Sequence, residues 1–305
     1  MLKMFLEDVY RSYHRPEHLM SDPLEFVHRF EDPWDQEVVA LVSAQLAYGN
    51  VRQIRASVEA WIQTVTAVSG SPARFVRQGL HRAEARRALE TFRHRIHTGA
   101  DLLSFMDLIG QSWRQHGSVG AHFLRGLHSE DQNFSGALDR FLADWKSWAT
   151  VPRGGVLPRS LGHFLAAPSS GSCCKRWCMV LRWMGRKDEL DPGLWRRGSA
   201  LIRELGPASA PELRPSQLVL PLDTHVGQIS QFLGLTERKT LNWRAAVEIT
   251  RRLGDFDPTD PVKYDFALAR LGILDRCRKR FVPEVCASCE LRGGCRHALQ
   301  KRPEF

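Results

Sequence analysis

Apolar side chains recur at three- and four-residue spacing along almost the whole chain, and that period constrains the fold more than any other feature. Leu2, Phe5, Leu6, Val9 and Tyr10 follow it, as do Val38, Val39, Val42 and Leu46. Segments 102–113, 137–148, 176–184, 226–233, 245–253 and 264–271 repeat it. Alternating β-branched runs are nearly absent. The best strand candidate, Leu218–Leu222, is short and carries Pro221, which cannot donate to a sheet ladder. Gly and Pro fall mostly between the helical segments. The pattern predicts an all-α fold, and 305 residues suffice for one large core or two ordinary ones.

The second constraint is the spacing Cys277-x8-Cys286-x2-Cys289-x5-Cys295, which places four of the seven cysteines near one another. The first residues, Met1-Leu-Lys-Met-Phe-Leu-Glu7, meet an acidic side chain too early for a secretory leader, and no run of eighteen apolar residues offers a membrane span. A cytoplasmic protein is expected, and there thiols stay reduced, so the run reads as a metal site rather than a disulfide pair. A [4Fe–4S] cluster fits four such thiolates. Zinc is the alternative, although zinc ribbons commonly use two Cys-x2-Cys pairs and only Cys286–Cys289 has that spacing. Cys173, Cys174 and Cys178 are expected to pack in the interior.

Lys and Arg outnumber Asp and Glu by 43 to 34, for a net charge of +9. The excess suits a polyanionic partner. Arg82, Arg86, Arg87, Arg93 and Arg95 form either a phosphate-facing stripe or a solvated helix face shared with Glu84 and Glu90. Histidines lack the spacing of a hydrolytic metal centre, and no nucleotide-binding glycine loop or nucleophile elbow is present.

Three stretches in order resemble the endonuclease III superfamily of helix-hairpin-helix DNA glycosylases. They are Ala40-Leu-Val-Ser-Ala-Gln45, Gly171-Ser-Cys-Cys-Lys175-Arg176 and Pro221-Leu-Asp223-Thr-His225-Val226. The last three cysteines keep that superfamily's spacing, with a longer first gap. The wording around residues 181–184 and 260–266 is most similar to an uncharacterised bacterial branch. The resemblance implies two helical domains flanking a DNA-binding cleft, a helix-hairpin-helix motif and a C-terminal iron–sulfur cluster loop. Residues 36–217 would form a helical barrel domain with the hairpin and an insertion at 188–217. Residues 1–35 plus 218–305 would form a terminal domain carrying the cysteines.

The function so implied is base-excision repair. The enzyme would be a DNA glycosylase with abasic lyase activity, acting as a monomer on double-stranded DNA containing a damaged base. Lys175 would be the amine nucleophile that forms a Schiff base at C1′. Asp223, by default a helix N-cap, would also stabilise the developing sugar cation. Gln45 would enter the duplex and fill the gap left by an extruded nucleotide. Gly171, Ser172, Arg176, His225, Arg278 and Lys279 would contact DNA. The hairpin departs from the superfamily pattern, with Cys173 where a second glycine is expected. Trp177, Trp183 and Trp195 are core residues or a stacking face for a base. Two other readings stay open: a non-catalytic iron–sulfur nucleic-acid-binding protein, and a zinc-stabilised helical interaction module.

Overall fold

The computed structural model describes residues 1–79, 83–203 and 211–299. Arg82 and residues 204–210 of the expected insertion lie outside them. The chain is mostly helical. Every periodic segment named above falls within or against a helix: Leu2–Tyr13, Pro33–Leu46, Gly99–His116, Ser135–Thr150, Lys175–Gly185, Thr224–Phe232, Trp243–Gly254 and Asp265–Ile273. Among the described residues no helix is long and apolar enough to cross a membrane.

Helix starts follow local chemistry. Asp32, Asn50, Ser71, Thr98, Ser118, Asp223 and Asn242 each accept a backbone N–H from the first turn of the helix they precede. At Thr98 the bond is reciprocated, since Asp101 accepts from the Thr98 backbone at 2.8 Å.

The candidate stretch 218–222 forms no strand. A two-stranded antiparallel hairpin forms instead at Arg93–His94 and His97–Thr98, pairing Arg93 with Thr98 and His94 with His97. Arg93 and Arg95 therefore lie on a hairpin, while Arg86 and Arg87 lie on the helix Ala83–Leu89. The hairpin is too short to show the alternation by which strands are read from sequence.

Buried apolar side chains from Leu6 to Leu291 form one continuous cluster. Helix Pro33–Leu46 runs through its centre and packs on Leu24–Val27 and Lys175–Gly185. The first helix packs on Asp265–Ile273, which also carries Thr224–Phe232. Glu37 is fully buried in the central helix and has no ion pair among the described residues. Its carboxylate accepts from Trp113 Nε1 (2.7 Å), Trp195 Nε1 (2.7 Å), Gly120 N (3.0 Å) and Val119 N (3.3 Å). Burial raises its pKa and the four donors oppose that rise. The bonds fasten the stretch bearing Trp195 onto the middle of the chain, and Trp195 rests within 2.4 Å of where a Cβ on Gly120 would sit.

Glu37→Gln puts an amide donor among four donors. It should lower the urea unfolding free energy by about 1–3 kcal/mol, whereas the same change at exposed Glu31 should leave it unaltered.

Candidate functional site

Lys175 and Asp223 meet although the whole 188–217 stretch lies between them. Lys175 opens the helix Lys175–Gly185, and Asp223 caps Thr224–Phe232. One carboxylate oxygen, Oδ1, accepts from Val226 N at 2.9 Å, and the other, Oδ2, lies 3.4 Å from Lys175 Nζ. The cap thus aims the free oxygen at the amine. Both side chains are partly open to solvent. They line a cavity of about 130 Å³ together with Tyr48, Met179, Trp183 and His225.

A layer of buried charge supports this cavity. Arg182 and Asp265, which both line it, are ion-paired, and Arg182 also reaches Asp191 at 3.3 Å. Arg186, where the same helix ends, binds Asp191 (2.8 Å), Asp260 (2.6 Å) and Asp188. His14 holds Asp188 at 2.7 Å, and Arg270 holds Asp22 at 2.9 Å. Complete burial drives Asp265 up to about 6 against the pull of Arg182. Burial also opposes ionisation of Asp188, but the His14 bond and the Arg186 charge hold it well below the usual carboxylate range.

The wall on the Tyr48 side is fixed from behind. The Tyr48 hydroxyl lies 2.5 Å from His97 Nδ1, and His97 Nε2 lies 2.9 Å from Ser160 O. Burial pushes His97 and His163 down to about 4, so both rings are neutral at pH 7.

Two residues expected at the DNA are turned inward. Gln45 is fully buried, and neither atom of its amide has a hydrogen-bond partner among the described residues. It faces the core and does not project from the helix end. Arg176 donates to Gln45 O (3.3 Å), His163 O and His163 Nδ1 (3.0 Å), and burial lowers it to about 10. Its guanidinium serves the interior. Gly171 is exposed at φ +78, with nothing within 4 Å of a Cβ placed there. Ser172 Oγ accepts from Cys174 N at 3.2 Å. Arg278 is exposed and Lys279 half-buried. Trp177, Trp183 and Trp195 are all buried, and of the three only Trp183 reaches the cavity. Cys174 and Cys178 lie in the apolar cluster, and burial pushes Cys174 up to about 12.

Sequence reading missed Arg182, Asp265 and Tyr48. A signal for the first two was present. Each interrupts an apolar run (Leu181-Arg182-Trp183 and Tyr264-Asp265-Phe266), and a charge on a buried face needs a partner.

Cys277, Cys286, Cys289 and Cys295 line one cavity of about 40 Å³, with Arg276, Arg278, Arg280 and Arg292 also in its wall. Among the described residues no three His, Cys, Asp or Glu side chains form a group able to hold a metal ion. Burial, with the neighbouring thiols adding to it, raises Cys277 and takes Cys289 to about 11. Asp275 and Lys279, on either side of Cys277, both adopt left-handed backbone conformations (φ 56 and 58), so the turn carrying this cysteine is strained.

Fold and site together define a mostly helical protein with an amine–carboxylate pair at a pocket. The family described as "Protein of unknown function (DUF2400)" matches residues 22–274, and the chain belongs to it. No curated protein and no solved structure matches. The family match overturns the resemblance to the endonuclease III superfamily. The stretches that carried it are a helix, a glycine turn and an Asp cap, elements that recur throughout helical proteins. The match ends before Cys277.

Asp223→Ala should cost about 1 kcal/mol of stability through loss of the cap. Asp223→Asn keeps a capping oxygen, so its denaturation midpoint should stay at the wild-type value while the charge facing Lys175 disappears.

Proposed function

We propose that the protein is a DNA-processing enzyme that excises a damaged base and cleaves the abasic site left behind, through an imine formed by Lys175. The observation that carries this reading is the 3.4 Å approach of Lys175 Nζ to Asp223 Oδ2 at the wall of a cavity. An amine beside a carboxylate, partly desolvated, suits attack on the electrophilic C1′ of deoxyribose. The lysine expels the base, and opening of the sugar ring leaves an imine. Asp223 stabilises the positive charge that develops on the sugar. The cavity volume supports a small ring as the extruded group, since an engineered apolar cavity of about 150 Å³ holds benzene.

Several features support duplex DNA as the partner. The net charge is +9. Arg276, Arg278 and Arg280 are exposed beside the cysteine cavity, and none of them or Lys279 has an ion pair among the described residues. The spacing Cys277-x8-Cys286-x2-Cys289-x5-Cys295 suits a [4Fe–4S] centre better than zinc, because zinc ribbons commonly use two Cys-x2-Cys pairs and only Cys286–Cys289 is one. Such a centre would supply a rigid anchor rather than chemistry, holding the strained 275–279 turn and its cations at the phosphates.

Three measurements test the reading. Borohydride added to the protein with duplex DNA carrying one abasic site should trap a covalent complex that Lys175→Ala does not form. Equal trapping in the variant would sink the nucleophile assignment, and salt-dependent binding without trapping would leave a non-catalytic DNA-binding protein. Replacing Arg278 and Lys279 together by Ala should reduce the slope of log K against log salt by about 1.8 if both meet phosphates. The purified protein should contain iron and acid-labile sulfide, both lost in Cys286→Ala. A colourless protein with stoichiometric zinc would overturn the cluster.

A further inference from the structure

His225 lines the same cavity as Lys175 and Asp223, and its place there is built. Gly272, on the helix Asp265–Ile273, leaves the notch that receives it. A Cβ at 272 would lie 2.3 Å from His225 Nδ1 and 2.6 Å from its Cβ and Cγ, so no larger residue leaves the ring where it is. Nδ1 is buried against this notch with no hydrogen-bond partner among the described residues. No hydrogen bond among them engages Nε2 either, and the residue as a whole is half-buried, which leaves one ring nitrogen for the cavity. No structural bond therefore accounts for this histidine.

We propose that His225 is the general base of the elimination step, taking the C2′ proton of the sugar bound to Lys175. The assignment rests on the lyase reading above and adds the group that reading lacks, since Asp223 is occupied by its cap and by the amine. The step balances without a redox partner. The Nε2 lone pair accepts the C2′ proton, and the C–H electron pair forms the C2′=C3′ double bond. The C3′–O bond breaks and the phosphate leaves with its electrons. The imidazolium then loses its proton to solvent, and water hydrolyses the imine to free Lys175.

The surroundings keep the ring neutral and able to act. Burial lowers its pKa first; Asp223 opposes this, Lys279 and Lys175 reinforce it, and Asp275 opposes it weakly, for a net fall below the usual histidine value. On the helix packed against the ring, Asp265 and Arg270 are each committed to ion pairs. A base poised below neutrality is unprotonated across the physiological range.

The test separates imine formation from elimination on one substrate. Wild type and His225→Gln are mixed, at saturating protein, with duplex DNA carrying one abasic site. Borohydride trapping and strand scission are followed in parallel over a pH series. The variant should trap at the wild-type level and cleave about 100-fold more slowly. It should also lose the fall in scission rate that the wild type shows as pH drops through the histidine pKa. His225→Ala leaves the notch empty, and added imidazole should restore part of its scission. Unchanged scission in His225→Gln, or trapping and scission lost together, would overturn the assignment, the second result marking His225 as a DNA-holding residue. No trapping by the wild type would overturn the lyase reading, and this assignment with it.

Discussion

Two buried guanidiniums on one helix hold this molecule in register. Arg182 and Arg186 lie one turn apart, one inside the helix that begins with Lys175 and one where it ends, and both are almost completely buried. A charge so placed is tolerable only when paired, because its desolvation costs several kcal/mol. The partners come from three separate parts of the chain: Asp188 and Asp191 just beyond the helix, Asp260 on a connecting turn, and Asp265 on the following helix. Arg270 adds Asp22 from the N-terminal region, and His14 joins through Asp188. The network thereby fastens the N-terminal segments, the stretch after Gly185 and the C-terminal helices to the element that presents Lys175.

The position of the amine–carboxylate pair follows from that fastening. The start of the lysine helix is set by ion pairs at its far end, and Asp223 is set by its own cap. Neither element needs the other to form, yet the 3.4 Å contact exists because both are held against the same buried layer. The stretch after Gly185 is drawn back onto the core by Trp195 and Glu37, so the chain can depart between Lys175 and Asp223 and return to the pocket. Gly272 has a matching role for His225, since an absent side chain on one helix fixes the ring of another.

Membership of the DUF2400 family changes what the short motifs mean. Ser-Ala-Gln on a helix, a glycine turn before a lysine and an Asp cap were legible as local structure, and each local element is present. The direction of the side chains was not legible. Gln45 and Arg176 read as polar residues at helix ends suited to DNA, but the close packing of Pro33–Leu46 on Lys175–Gly185 turns both inward. The hairpin at 93–98 was invisible for a different reason. Two residues per strand carry no period, and His94 and His97 are buried there by contacts with Ser57, Tyr48 and Ser160, all distant in sequence.

The sequence by itself determined the helices, their caps and the clustering of cysteines, because each depends on residues within a turn or two of one another. Period, capping side chains and cysteine spacing are local quantities. Tertiary structure alone decided that Lys175 faces Asp223, that His225 sits in the notch at Gly272, and that Arg182, Arg186 and Arg270 find carboxylates in other parts of the chain. Those pairings depend on burial. A charge or an imidazole behaves as an ordinary surface group until packing removes water from one side of it, and no local pattern records which side that will be.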